Sequence, residues 1–171
     1  MRPFTESKTM TIGRGPITLT VLGMLLLLGA SAAPAQDVSA WRVECTGDGK
    51  TLDCRAVQHL VQRETRQVVL AVLARKAPDP KAALLQIQMP LGLNLTEPIQ
   101  IKVDNGTAEK HPIQTCTNIG CFASLTANER MVNAMRGGTD LKITFQDANK
   151  KPIEWAVPLL GFGIAFDKVR T

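Results

Sequence analysis

Residues 99–107 read Ile99-Gln100-Ile101-Lys102-Val103-Asp104-Asn105-Gly106-Thr107. Apolar side chains at 99, 101 and 103 alternate with polar ones at 100, 102 and 104. A period of two places successive side chains on opposite faces of a strand, one face wet and one buried. Asn-Gly follows directly, the dipeptide that accepts positive φ at the centre of a tight hairpin turn. The pattern therefore predicts an antiparallel hairpin whose second strand lies within Ala108–Thr115. The same alternation recurs outward in both directions: Trp41, Val43 and Cys45 against Arg42 and Glu44; Leu85, Ile87 and Met89 against Gln86 and Gln88. Further on, Leu141, Ile143 and Phe145 alternate with Lys142, Thr144 and Gln146, and Ile153, Trp155 and Val157 with Glu154 and Ala156. Val68 to Ala74 is apolar throughout and predicts a central strand covered on both sides. Strands are also expected over Leu52–His59 and Gly120–Leu125.

Turn chemistry separates these runs. Thr46-Gly47-Asp48-Gly49-Lys50, Pro78-Asp79-Pro80 and Asp147-Ala148-Asn149-Lys150 each interrupt the alternation. One helix is expected. Thr126 followed by Glu129 reads as a capping box, Met131, Val132 and Met135 fall on one helical face, and Gly137-Gly138 ends it. The two methionines read as core packing rather than as ligands. Nine or ten short strands and one short α-helix predict an all-β fold, an antiparallel β-sandwich of jelly-roll type.

The chain has 171 residues, of which 44% are hydrophobic and 20% charged, with a net charge of +5. That composition excludes wholesale disorder and fits one domain. Its first segment reads as a secretory signal peptide. Arg2, Lys8 and Arg14 flank an uncharged run from Gly15 to Gly29, and Ala33-Pro34-Ala35 matches the small-residue cleavage pattern. The expected cut lies between Ala35 and Gln36, leaving a signal over 1–35 and a single disulfide-stapled domain over 36–171. The run is shorter than the ~20 residues a spanning helix needs, so no membrane span is expected after cleavage. Without the leader, 17 basic residues face 14 acidic ones. That weak, scattered charge argues against a nucleic-acid partner.

All four cysteines, Cys45, Cys54, Cys116 and Cys121, follow the leader. An even count in an exported chain predicts disulfides. Of the three possible connectivities, the local pairs Cys45–Cys54 and Cys116–Cys121 close short loops across expected hairpins and are favoured. Zinc and thioredoxin-like redox sites want C-x-x-C, whereas the spacings are C-x8-C and C-x4-C, so neither metal nor cofactor is expected. The histidines are His59 and His111, and neither sits in a nucleophile, metalloprotease or phosphate-loop motif. No catalytic residue is assigned. The apolar segment Leu91–Leu95 is expected to pack Leu91, Leu93 and Leu95 onto the sandwich; the competing reading is an exposed lip for a partner. In Pro158–Phe166, Phe162 is expected to plug the core between flexible glycines.

Taken in order, Trp41-x-Val43-x-Cys45, Cys54, Met89-Pro90-Leu91-Gly92, Cys116-Thr117-Asn118-Ile119-Gly120-Cys121 and Gly161-Phe162 with Ala165 resemble the invasion-associated locus B family of exported alphaproteobacterial proteins. The resemblance implies a β-sandwich and structural roles for the cysteines, Trp41, Pro90, Leu91, Gly92, Gly120, Gly161 and Phe162. It implies an envelope protein in the periplasm or on the outer surface. Such a protein acts without catalysis through an unidentified protein or envelope partner, in some relatives in host-cell invasion. The alternatives are a periplasmic carrier with an apolar pocket behind Leu91–Leu95 and an envelope hydrolase.

Overall fold

The computed structural model describes residues 41–170, with Arg170 described by its backbone alone. The signal segment and its Ala35/Gln36 cleavage point lie outside the described residues. Ten strands form in chain order: β1 (Arg42–Gly47), β2 (Leu52–Val61), β3 (Val68–Lys76), β4 (Ala83–Met89), β5 (Ile99–Val103), β6 (Glu109–His111), β7 (Thr115–Thr117), β8 (Gly120–Ala127), β9 (Asp140–Gln146) and β10 (Pro152–Pro158). Two helices complete the fold, α1 (Glu129–Gly137) and α2 (Phe162–Arg170). One sheet has the order β1-β2-β3-β4-β8-β7 and the other β10-β9-β5-β6. Every pairing is antiparallel.

The alternation decides which face each strand buries. Leu85, Ile87 and Met89 of β4, Ile99 and Ile101 of β5, and Leu141, Ile143 and Phe145 of β9 are all at most 2% exposed. One apolar cluster joins the inner faces of both sheets to Met131, Val132 and Met135 of α1 and Phe162, Phe166 and Val169 of α2. That shared cluster makes the two sheets a sandwich. In β3 the inner residues Leu70, Val72 and Ala74 are buried, and so is Ala71 on the other face.

Four local features depart from the sequence reading. The hairpin after β5 is wider than a two-residue Asn-Gly turn, because its ladder closes at Ile101↔Glu109. The left-handed residue is Asp104, at φ 50°. Its carboxylate is held by the amides of Thr139 and Asp140, and its own amide donates to the Asp140 carbonyl at 2.9 Å. A contact with the start of β9, outside the reach of a local turn rule, shapes this turn. Second, the expected strand over 108–115 is divided at Pro112 into β6 and β7, which belong to different sheets. Third, Thr126 does not cap α1. It stays in β8 opposite Leu84, and Asn128 caps the helix instead, its Oδ1 accepting the Met131 amide at 3.0 Å. Fourth, the described residues form two helices: Phe162 is buried in the core as expected, but it sits in α2 and not in a flexible segment.

Cys45 lies directly opposite Cys54 in the β1–β2 hairpin, and Cys116 opposite Cys121 in the β7–β8 hairpin. Each pair is bonded. The β1–β2 turn is also clasped by Asp48, whose Oδ1 accepts the Lys50 and Thr51 amides. Reducing either disulfide is expected to lower the unfolding free energy by about 2–3 kcal/mol, the loop-closure entropy returned to the unfolded chain. Urea titrations with and without reductant measure this. An unchanged midpoint on full reduction would remove the disulfides from the account of stability.

Candidate functional site

The residues singled out in the sequence gather at two places. At the first, Trp41 at the entry to β1 is 4% exposed. Its indole Nε1 donates to the Pro158 carbonyl at 2.9 Å, joining the first strand of one sheet to the last strand of the other. Its ring meets Phe162 edge-on, centroids 5.0 Å apart. Phe162 stacks on Phe166 at 5.5 Å, and the Arg136 guanidinium lies 5.9 Å over the Phe166 ring. Arg136 of α1 holds Asp167 of α2 in a two-pronged pair, Nη1 to Oδ2 at 3.0 Å. That bond keeps the Arg136 proton above its already high ordinary pKa. Gly161 starts α2, its carbonyl accepting the Ala165 amide at 3.0 Å.

At the second place, Pro90-Leu91-Gly92 leaves β4 beside Gly120 at the start of β8. A Cβ on Gly120 would stand 2.4 Å from the Met89 carbonyl oxygen. The Ala148 amide donates to the Gly92 carbonyl at 2.8 Å. Asn94 makes two bonds to Gln146, one from its backbone amide and one from its side chain. Leu93 is part of the packed interior. Leu91 and Leu95, however, are 55% and 58% exposed. The expectation that all three leucines pack inward is corrected: the loop is pinned through Leu93 and Asn94, and strand-like alternation then turns 91 and 95 outward.

The two histidines are apart. His59 lies on the outer face of β2, where its Nδ1 accepts a hydrogen bond from the Arg42 guanidinium at 2.8 Å. Nearby on β1 and β2, Arg55 pairs with Glu44 at 3.5 Å; further along β2, Asp53 pairs with Arg75 at 3.6 Å. Partial burial, reinforced by Arg42, pushes the His59 pKa below its ordinary value. The unfolded chain therefore binds a proton more readily than the folded one. Stability is expected to fall as pH drops below about 6.5, the ordinary histidine value, and a His59→Asn variant is expected to lose that part of the slope. Thermal melts across pH 5–8 test this, and parallel slopes for both proteins would exclude His59 as the source.

His111 faces Glu109, Nε2 to Oε2 at 3.7 Å, and Glu109 also pairs with Arg130 at 3.5 Å. Glu109 and Arg130 border an open cleft of about 290 Å³ between the β5–β6 hairpin and α1, lined also by Ile101, Val103, Thr107 and Met131. Three other surface clefts measure about 310–330 Å³. Leu91–Leu95 lines none of these four. No group of three or more His, Cys, Asp or Glu that could hold a metal occurs among the described residues. The perturbed carboxylates sit at turns and on the exposed face of β10. Asp48 and Asp104 are lowered chiefly by backbone amides, and Glu154 chiefly by Lys102, 3.2 Å away.

The fold matches the crystal structure of invasion-associated protein B from Bartonella henselae with a TM-score of 0.71. The match spans 77% of this chain and 90% of that one at 24% identity, a likeness of fold. Invasion protein B homologs from two Brucella abortus strains, 2308 and 9-941, are 28% identical over 159 residues, covering 90% of this chain and 91% of each relative. The family model for the invasion-associated locus B (IalB) protein matches residues 41–170, the whole described domain. The chain belongs to the IalB family. For this IalB-family chain, the motif residues read in order along the sequence resolve into two contacts. Trp41 meets Pro158 and Phe162, and Met89 meets Gly120. The ties that sequence reasoning missed, Asp104 to β9 and Arg136 to Asp167, join residues 31–36 positions apart and leave no local pattern.

Proposed function

We propose that this IalB-family chain is an exported, non-catalytic envelope protein that works by binding a partner. The observation that carries the reading is the use made of its polar groups. Among the described residues, each group with a shifted pKa is engaged in holding the scaffold. Asp48 and Asp104 clasp backbone amides, Glu154 bridges Lys102 and Thr144, and Arg136 joins the helices. His59 accepts from Arg42, which uses the nitrogen a general base would offer to a nucleophile. Two disulfides in exposed hairpins support work outside the reducing cytoplasm, as does the leader read over 1–35. No helix among the described residues is long and apolar enough to cross a membrane.

Crosslinking in intact bacteria followed by recovery of the chain from envelope extracts tests the reading. A reproducible crosslinked species is expected, along with a chain mass lacking residues 1–35. Recovery of free monomer alone would count against a binding role. Retention of the leader with alkylatable, reduced cysteines would count against export.

A further inference from the structure

We propose that one end of the sandwich is a docking surface for an anionic lipid bilayer. The strand directions place four connections at that end: the β2–β3 turn, the β4–β5 loop, the β7–β8 turn and the β9–β10 turn. The last of these is tied to the β4–β5 loop through the Ala148–Gly92 bond. Five large apolar side chains are exposed there: Val61 and Val68 at 49% and 52%, Leu91 and Leu95 at 55% and 58%, and Ile119 at 66%. They stand on three neighbouring connections, the β2–β3 turn, the β4–β5 loop and the β7–β8 turn, in a sheet whose strands lie about 5 Å apart. Such tips suit a soft, level phase better than a protein knob.

These side chains are held out rather than left loose. The loop carrying Leu91 and Leu95 is fixed by the Asn94–Gln146 and Ala148–Gly92 bonds. Ile119 sits in a turn closed by the Cys116–Cys121 disulfide, and its carbonyl accepts from Gln88 Nε2 at 2.8 Å. Little ordering is left to be done on binding.

The exposed charges at this end are mainly positive. Arg63 and Arg66 lie in the turn between Val61 and Val68, and Lys150 and Lys151 in the turn beside Leu91; all four are exposed. None of them is in an ion pair among the described residues. The carboxylates at this end are Glu64, Glu97 and Asp147, and Asp147 is turned inward to accept the Asn149 and Lys151 amides. Apolar tips with a rim of free cations match the interface of an anionic membrane, the apolar groups entering the headgroup boundary and the cations meeting phosphates.

The inference rests on the export reading only in that an exported chain meets envelope lipid. The test is made on the protein as the bacterium exports it, with vesicles of about 30% phosphatidylglycerol in phosphatidylethanolamine and, for comparison, of phosphatidylcholine alone. Co-sedimentation with the anionic vesicles is expected, falling as salt is raised to about 0.5 M. A variant carrying Leu91→Ser and Ile119→Ser, and another carrying Lys150→Glu and Lys151→Glu, should each bind about tenfold more weakly or worse. A control carrying Leu52→Ser, an exposed position at the start of β2 and so at the opposite end of the sheet, should bind as the parent does. Melting temperatures near the parent's establish that the variants are folded. Failure to bind anionic vesicles, equal loss in the control, or lipid-free self-association abolished by Leu91→Ser and Ile119→Ser would each overturn the proposal. The last result would give the surface to a second copy of the chain. None of these outcomes bears on the crosslinking and processing results that test export.

Discussion

Phe162→Ala is expected to remove about 3–5 kcal/mol of stability, the range for emptying a large aromatic site in a packed core. Phe162 is fully buried and its ring meets Trp41 edge-on. Deleting its ring leaves Trp41 and Phe166 without the face each packs on, and the sandwich cannot close around the void, because both sheets are fixed by their ladders. Ile164 lies two residues further along the same helix and is 69% exposed, so Ile164→Ala should stay within about 0.5 kcal/mol of the parent. Urea unfolding followed by tryptophan fluorescence reads both, since Trp41 reports on this contact. Two variants with the same midpoint would mean that α2 is an appendage and not part of the core. Trp41→Phe should fall between them. It keeps most of the ring contact and loses the bond to the Pro158 carbonyl, a loss of about 1–2 kcal/mol.

The strands were legible in the sequence because each buries one face, and the price of a register slip is to turn a whole apolar row to water. Leu85, Ile87 and Met89 show it most simply. The short-range disulfides were legible for a similar reason, since chain spacing and turn chemistry put the paired cysteines opposite one another. What was hidden arises from long-range contacts or from the weight given to single residues. Phe162, Ala165, Phe166 and Val169 recur at helical spacing, but Gly161 and Gly163 made that stretch read as flexible. The helix forms because its apolar side has a sheet to cover, and burial outweighs the roughly 1 kcal/mol that one interior glycine costs. Asp104 could not be read as the left-handed residue, because the amides that hold its carboxylate come from the chain more than 30 residues later. For Leu91 and Leu95 the sequence left two readings, burial and an exposed lip, and could not decide between them. The choice depends on Asn94 of the β4–β5 loop meeting Gln146 of β9, a contact across 52 positions of sequence.

Gly120→Ala is expected to remove about 3 kcal/mol or more, from two causes that act together. Gly120 adopts φ 139°, outside the wells open to residues with a Cβ. Relaxing that angle would shift the β7–β8 turn, whose strands are already fixed by the Thr117↔Gly120 pairing and the adjoining disulfide. Keeping the angle would drive the new methyl to 2.4 Å from the Met89 carbonyl oxygen. That oxygen belongs to the β4–β8 ladder, where Met89 stands opposite Cys121, so it cannot retreat without opening the sheet. Gly49 separates the two causes. It also has positive φ, 86°, but a Cβ there would meet nothing within 4 Å. Gly49→Ala should therefore cost only about 1 kcal/mol, the backbone part alone. Equal losses in the two variants would show that the close approach to Met89 relaxes at little cost. A loss at Gly120 exceeding that at Gly49 by about 2 kcal/mol or more would show that β8 packs onto the Met89 carbonyl too tightly for any side chain. The separation in sequence between Met89-Pro90-Leu91-Gly92 and Gly120 would then be bridged by a single steric requirement.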